Sequence, residues 1–429
     1  MLTTRPRGTL DVTPAESYKW HYVEEQIRRI TRQYGYAELR TPIFEHTELF
    51  DRGVGDTTDV VEKEMYTFTD KGGRSITLRP EGTAPAVRAY LEDRLEAEAQ
   101  PVKVYYVGPI FRYERPQAGR LRQHTQFGVE VFGAGSPAVD AEIIHLAWDF
   151  LVRLGLTGLS VNVNSLGCPV CRPAHRQALL AYFQPHLAKL CPDCQRRYAK
   201  NPLRLLDCKN EACRAVAAGA PTILAHLCTE CTDHFARLQE LLAAFGVEYR
   251  VNPWIVRGFD YYTKTVFEII YSGLGAQSTV CGGGRYDGLV GLLGGKPTPG
   301  IGFGLGLERL LLTMEKQGVL PEPPPGPDVF VATVGDEAGR RAPALVAGLR
   351  RQGVAADLDY LGRSLRGQLK YADKLRARFV LVLGEAELAA GKARLKEMAT
   401  GEETEVPLEG LAVWLKQTGG SASREELEK

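Results

Sequence analysis

The chain opens with polar residues broken by Pro6, Gly8 and Pro14, then settles into a helical period. Over residues 18–34, Val23, Ile27, Ile30 and Tyr34 return at the spacing of one helix face. Gly35 ends that helix, and residues 37–40 begin a strand that meets Pro42. A proline there confines the strand to a sheet edge or an interface. Two short β patterns follow, EMYTFTD and SITLRPEGT; the second closes on Arg79, Glu81 and Thr83 and runs into a predicted helix over 84–95. Residues 107–133 read as two strands joined by a long basic loop. Phe111 and Tyr113 alternate with Arg112 and Glu114 before the loop; Phe127, Val129 and Val131 alternate with Gln126, Gly128 and Glu130 after it. A helix is predicted over 137–154, with Ile143, Ile144, Ala147, Phe150 and Leu151 inward, and LSVNVNSLG alternates as a strand. Further on, PEPPPGPD at 321–328 is a stiff proline linker. Beyond it, strand DVFVATV, helix 339–352, strand AADLDY, helix 364–377 and strand FVLVLG make a βαβαβ unit.

At 429 residues the chain is long for one core, so two or three domains are expected. Hydrophobic residues at 44% and charged residues at 24% are those of an ordinary globular protein. The net charge of +1 argues against coating nucleic acid by bulk charge, so any such contact must use local basic patches. No apolar run approaches the roughly 20 residues that span a bilayer, and MLTTRPRGTLDV has no signal-peptide core. The expectation is a cytoplasmic protein with no membrane partner.

Four stretches carry chemistry. In the hairpin, Arg112, Glu114, Gln126 and Glu130 can line one polar floor, beside Arg115, Arg120, Arg122 and His124 of the loop. Such a floor suits a small zwitterion and a phosphate compound; a solvated outer face is the plain alternative. Glu81 and Thr83 stand at a strand end before a helix, either as ligand groups or with Thr83 as an ordinary N-cap. In the third stretch, Arg257, Asp260, Tyr261 and Tyr262 crowd around Gly258, and glycines at 300, 302, 304 and 306 either leave one strand face bare, so that a planar base can lie on it, or form an ordinary glycine-rich turn. Arg309, just inside the next helix, is electrostatically misplaced unless it meets an anion such as phosphate.

The fourth stretch, residues 165–240, holds Cys168, Cys171, Cys191, Cys194, Cys208, Cys213, Cys228 and Cys231. Three C-x-x-C pairs and one C-x4-C pair are enough for two four-thiolate zinc sites. A reducing compartment disfavours disulfides. Adjacent and interleaved pairings both stay open, and no catalytic thiol is indicated. In the C-terminal unit, Arg363, Arg366, Lys370, Lys374 and Arg376 give one helix a basic face that could meet RNA or simply be solvated.

Taken in order, these stretches resemble the bacterial histidyl-tRNA synthetases, class II aminoacyl-tRNA synthetases, over essentially residues 1–420 apart from the cysteine segment. YGYAELRTPIFE, FRYERP with QFGVEVFG, and GFGLGLERL are similar to the three class motifs; VRGFDYY and GGGRYDG are similar to the two histidine signatures. The resemblance implies an α+β fold: a six- to seven-stranded antiparallel sheet flanked by helices, with a C-terminal α/β anticodon-binding domain. The domains would be a catalytic core at 1–164 and 241–320, a cysteine-rich insertion at 165–240, a linker at 321–328 and the anticodon-binding domain at 329–429.

The resemblance also implies ATP-dependent attachment of L-histidine to tRNA(His) through an adenylate, by a homodimer. Arg112 would hold the ATP α-phosphate, Glu114 would lie beside the adenine, Arg309 would meet the γ-phosphate, and Gly304 and Gly306 would lie under the adenosine. Glu81, Gly82, Thr83 and Gln126 would receive the α-amino group. Glu130, Tyr261 and Tyr262 would bracket the imidazole, and Arg257 would contact the reacting phosphate and carboxylate. Arg115, Gln117, Arg120 and Arg122 would face the tRNA acceptor end. Mg²⁺ would come with the phosphates, whereas structural Zn²⁺ is expected from the cysteines alone, since eight cysteines are not part of the family pattern. The rival is a regulatory paralogue, a subunit of ATP phosphoribosyltransferase. It lacks the C-terminal domain and an intact VRGFDYY, and this sequence has both.

Overall fold

The computed structural model describes residues 2–55, 58, 60–117 and 119–419, in two compact units, Met1–Pro321 and Glu322–Lys429. The larger is built on an eight-stranded sheet. In spatial order its strands are Ala37–Glu38, Val102–Phe111, Gln123–Phe132, Gly300–Gly306, Thr279–Arg285, Thr263–Tyr271, Leu159–Ser165 and Tyr249–Val251. The six inner strands are antiparallel, as expected, and each edge strand is parallel to its neighbour. The strand before Pro42 is indeed an edge, and only two residues long.

Alternation decides which face is core. Phe127, Val129 and Val131 pack with Ile301, Phe303 and Leu305 under four helices, Ser17–Gln33, Pro137–Arg153, Thr229–Ala244 and Leu307–Gln317. Val23, Ile27 and Ile30 of the first helix are buried there, as their spacing predicts. The opposite face carries Gln126, Gly128 and Glu130 and is left for a site. Beside this sheet stands a three-stranded one, Phe44–His46, Ser75–Leu78 and Tyr66–Thr69.

The first hairpin strand is shorter than its pattern: it ends at Phe111. Arg112 N–H still bonds the carbonyl of Arg122 opposite it (2.8 Å), but the N–H of Arg122 turns to the carbonyl of Gly8 (2.7 Å) and that of Tyr113 to Glu64 (2.7 Å), which ends the ladder. The segment between Leu159–Ser165 and Tyr249–Val251 is helical, with a small core around Leu179, Phe183, Leu190 and Leu205.

The smaller unit has a five-stranded sheet in the order Ala356–Leu358, Val329–Thr333, Phe379–Leu383, Lys392–Glu397 and Glu403–Pro407. Its first three strands are parallel, and helices Asp336–Arg351 and Leu365–Lys374 join them as the βαβαβ pattern predicts. Val329, Val331 and Leu381 face one core, Phe330, Ala332 and Val380 the other, which explains their unbroken apolar runs. The pattern reading stopped before the terminal hairpin. Among the described residues no helix is long and apolar enough to cross a membrane.

Candidate active site

One cavity of about 320 Å³ lies on the open face of the large sheet. It collects most of the residues the sequence singled out. Glu81, Thr83, Gln126, Tyr261 and Tyr262 line it, and so do Arg112, Glu114, Arg120, Arg257 and Arg309 with Gly304 and Gly306.

Glu81 caps the helix Thr83–Glu92, its carboxylate accepting from the N–H groups of Thr83 and Ala84, both at 2.6 Å. Thr83 is therefore not the cap. Its hydroxyl donates to Glu130 at 2.8 Å. Glu130 also accepts from the hydroxyls of Tyr106 (3.2 Å) and Tyr286. It is 1% exposed and does not line the cavity; the hydroxyls of Thr83 and Tyr286, which do, lie in front of it. Burial pushes the Glu130 carboxyl up to about 8, although the hydrogen bonds from Tyr286 and Thr83 oppose the shift. Gly82, between Glu81 and Thr83, has a steric role. A Cβ there, or at Gly128, would collide with the ring of Tyr106, so these glycines let the tyrosine close down on the sheet.

The glycine strand is less bare than expected. Side chains occupy the space a Cβ would take at three of its positions: the Tyr286 ring at Gly300, the Glu130 carboxylate at Gly302 and the Gln126 amide at Gly304. Gly306 alone of the four is open, with nothing nearer than the His124 ring at 4.0 Å.

Each arginine is aimed by a different means. Arg112 donates from Nε to the carbonyl of Pro80 (2.7 Å) and lies over the Phe259 ring at 5.5 Å. Arg257 pairs with Glu268 at 2.8 Å and lies 5.3 Å from the centre of the Tyr262 ring. A Cβ on Gly282 would stand 2.6 Å from its Nη1, so that glycine is what admits the guanidinium. Arg309 donates to the carbonyls of Thr279 (2.7 Å) and Gly119 (3.1 Å), which answer a charge placed early in helix Leu307–Gln317. Burial together with Arg112, Arg309 and Arg120 drives the His124 imidazole down to about 3, so it stays neutral here. Burial raises Glu308 to about 7 against the N–H of Thr125, which it accepts.

The basic loop divides. Arg120 turns inward and pairs with Glu114, whereas Arg115 and Gln117 are exposed and Arg122 stacks on Tyr113 at 3.8 Å. Arg79 is structural, 5% exposed and bonded to the carbonyls of Pro109 (2.7 Å) and Thr41 (3.1 Å). So is Arg285 of GGGRYDG: it is fully buried on Asp140, which also binds His234 at 2.8 Å. The pattern reading missed Tyr106, Tyr286, Phe259 and Glu268. Tyr286 stands in GGGRYDG, but that signature and its three glycines do not say what the hydroxyl binds.

The eight cysteines form two groups, each with its four Sγ atoms within 4.8 Å of one another: Cys168, Cys171, Cys228 and Cys231, and Cys191, Cys194, Cys208 and Cys213. The pairing is nested, the middle pairs together inside the outer ones. All eight are free thiols.

Relatives give the same picture over nearly the whole chain. The family described as Histidyl-tRNA synthetase matches residues 8–310, and that described as Anticodon binding domain matches 328–418. The histidine–tRNA ligase of Desulforamulus reducens is 58% identical over 97% of this chain and 99% of its own; that of Moorella thermoacetica is 59% identical over 95% and 96%. The crystal structure of apo Staphylococcus aureus histidyl-tRNA synthetase is similar at 41% identity and a TM-score of 0.83, covering 97% of this chain and 100% of that one. A sheet whose open face gathers the second and third class motifs and both histidine signatures into one cavity, matched end to end by these relatives, makes the chain a member of the histidyl-tRNA synthetase family.

Proposed function

We propose that the chain condenses L-histidine with ATP to histidyl-adenylate, releasing pyrophosphate, and then transfers the histidyl group to the 3′-adenosine hydroxyl of tRNA(His), releasing AMP. The observation that carries this is the convergence of Arg112, Arg257 and Arg309 with Glu81 and Gln126 on a single cavity. A carboxylate oxygen attacks the α-phosphorus while the bond to the leaving pyrophosphate oxygen breaks. Two anions are brought together, and charge on the phosphate oxygens grows in the transition state. Arg112 and Arg257 neutralise it, preset by Pro80 and Glu268 rather than reorganised during reaction. Arg309 takes the γ-phosphate. No protein nucleophile is needed; positioning and electrostatics carry the step.

Glu81 and Gln126 receive the α-ammonium group. Tyr261 and Tyr262 flank the imidazole, whose N–H groups are accepted by the hydroxyl oxygens of Thr83 and Tyr286, which Glu130 orients from behind. A pocket whose buried polar groups need a partner rejects apolar isosteres strongly. Glu114 and the open Gly306 attend the adenine end. With the nucleotide's phosphates Mg²⁺ would be expected, and it would supply charge neutralisation there. Every carboxylate among the described lining residues is already engaged: Glu81 and Glu308 with amides and Glu114 with Arg120.

The exposed Arg115 and Gln117, with Arg122, meet the acceptor end, and the exposed Arg366, Lys370, Lys374 and Arg376 serve the anticodon end. The insertion binds structural Zn²⁺. The chain works as a cytoplasmic homodimer; exposed Ile43 and Phe44 of the first motif, with exposed Phe68 in the same three-stranded sheet as Phe44, support this assembly. The regulatory-paralogue reading is disfavoured by the anticodon-binding match at 328–418. The test is histidine-dependent ATP–pyrophosphate exchange, which is expected to be robust; its absence from a well-folded sample overturns the proposal.

A further inference from the structure

The segment that carries Arg257, Phe259 and Tyr262 is irregular until the strand Thr263–Tyr271 begins. It is also thin. Those three residues line the active cavity on one side and a second cavity of about 480 Å³ on the other. What fixes it comes from the cysteine segment. Asn201 donates to Asp260 at 2.9 Å, and Arg204 donates to the carbonyl of Arg257 at 3.0 Å. Both lie between Cys194 and Cys208 of the inner group. At the other end Arg172, next to Cys171 of the outer group, donates to the carbonyl of Tyr262. The carbonyl of Gly167, next to Cys168, accepts from the Thr263 hydroxyl (3.0 Å) and the Lys264 amide (2.9 Å). Lys264, held at φ +48°, pairs with Glu230 between Cys228 and Cys231 at 2.7 Å. Each thiol group thus holds one end of the histidine signature.

The thiols are spaced for an ion. A four-thiolate zinc site with bonds of about 2.3 Å has sulfur–sulfur edges of about 3.8 Å. Cys168 lies 3.7 Å from Cys171 and 3.8 Å from Cys228, and Cys191 lies 3.9 Å from Cys208. A disulfide needs about 2.05 Å. Backbone amides support the sulfurs in matching places: Cys228 N–H points at Cys171 Sγ and Cys191 N–H at Cys213 Sγ, both at 3.1 Å.

We infer that each group binds one Zn²⁺, and that the two ions act as positioning devices for the amino-acid pocket, the inner one setting Arg257 and the outer one setting Tyr262. The inference rests on the adenylate reading above for its effect on histidine, but not for the metal itself. The ions supply fixed tetrahedral anchors; the described tethers transmit them.

The full-length chain, purified under reductant without chelator, is expected to contain about two zinc ions by elemental mass spectrometry; a content near zero overturns the inference. Cys194→Ser with Cys213→Ser, and separately Cys171→Ser with Cys231→Ser, should each remove one ion. Amide exchange is then expected to rise over residues 257–260 in the first variant and 261–264 in the second. KM for histidine in pyrophosphate exchange should rise several-fold while KM for ATP stays nearly constant. Loss of an ion with unchanged exchange and KM sinks the coupling. Should those variants fail to fold, Arg204→Met keeps every thiol. It should retain both ions, loosen residues 257–260 and raise KM for histidine about two- to tenfold; an unchanged loop counts against the coupling. A wild-type protein with two ions and the expected loosening, but no histidine-dependent exchange, supports the metal device and overturns the adenylate reading instead.

Discussion

The wall of the cavity that carries Gln126 lies inside a continuous ladder, with Val102–Phe111 on one side and Gly300–Gly306 on the other. The wall that carries Arg257 and Tyr262 has no such ladder until Thr263 and is held by side chains reaching in from the cysteine segment. In the first wall, position follows from register: a one-residue slip would turn Gln126 into the core. In the second, position is a sum of single hydrogen bonds, each worth about 1 kcal/mol net. The two walls should therefore fail differently when disturbed.

The largest expected effect lies at the base of the ladder. Asp140→Ala leaves the fully buried Arg285 with only Asp287, at 2.9 Å, to answer its charge, and takes the partner from His234. A loss of about 3–5 kcal/mol is expected, read as the unfolding free energy in denaturant, with the cavity residues untouched. Next comes Arg257→Lys, which keeps the charge but not the fork that meets Glu268 and the substrates. Exchange should fall by about 10²–10³ at unchanged stability.

Glycine substitutions then set the walls directly against each other. Gly128→Ala drives a methyl into the Tyr106 ring and should cost about 1–3 kcal/mol. Gly258→Ala, where a Cβ has open space, should change stability by less than about 0.5 kcal/mol. Equal losses would mean that the loop wall is packed as tightly as the ladder. A separate readout is pH dependence. Glu130 holds its proton more tightly folded than unfolded, so it contributes stability below about 4.5 that is lost as pH rises towards about 8. Against Glu130→Gln, the wild-type Tm should therefore decline by a few degrees more across that range.

Much of the ladder was legible in the chain. Val23, Ile27 and Ile30 declare a helix face, and Phe127, Val129 and Val131 declare the covered side of a strand, because burial on one face writes a period into the sequence. The βαβαβ order of the smaller unit is plain for the same reason. The site was legible as a set of residues but not as an arrangement. No local pattern says that Arg112 leaves its strand for the carbonyl of Pro80, that Arg120 turns in while Arg115 stays out, or that the glycine strand is roofed by Tyr286, Glu130 and Gln126. Those are contacts between residues far apart in the chain. Spacing gave the cysteine pairs, yet C-x-x-C fixes only which two thiols share a turn, so the nested partnership had to come from the fold.

Nesting also orders events in time. During synthesis Cys191, Cys194, Cys208 and Cys213 all leave the ribosome before Cys228 does, whereas Cys168 and Cys171 must wait for it. The inner group closes a short loop and the outer group a longer one that contains it, and loop closure costs more as loops lengthen. A nascent chain can thus complete its inner centre first and shorten, in effect, the loop the outer centre has to close. An adjacent pairing would have given two independent centres with no such sequence of maturation.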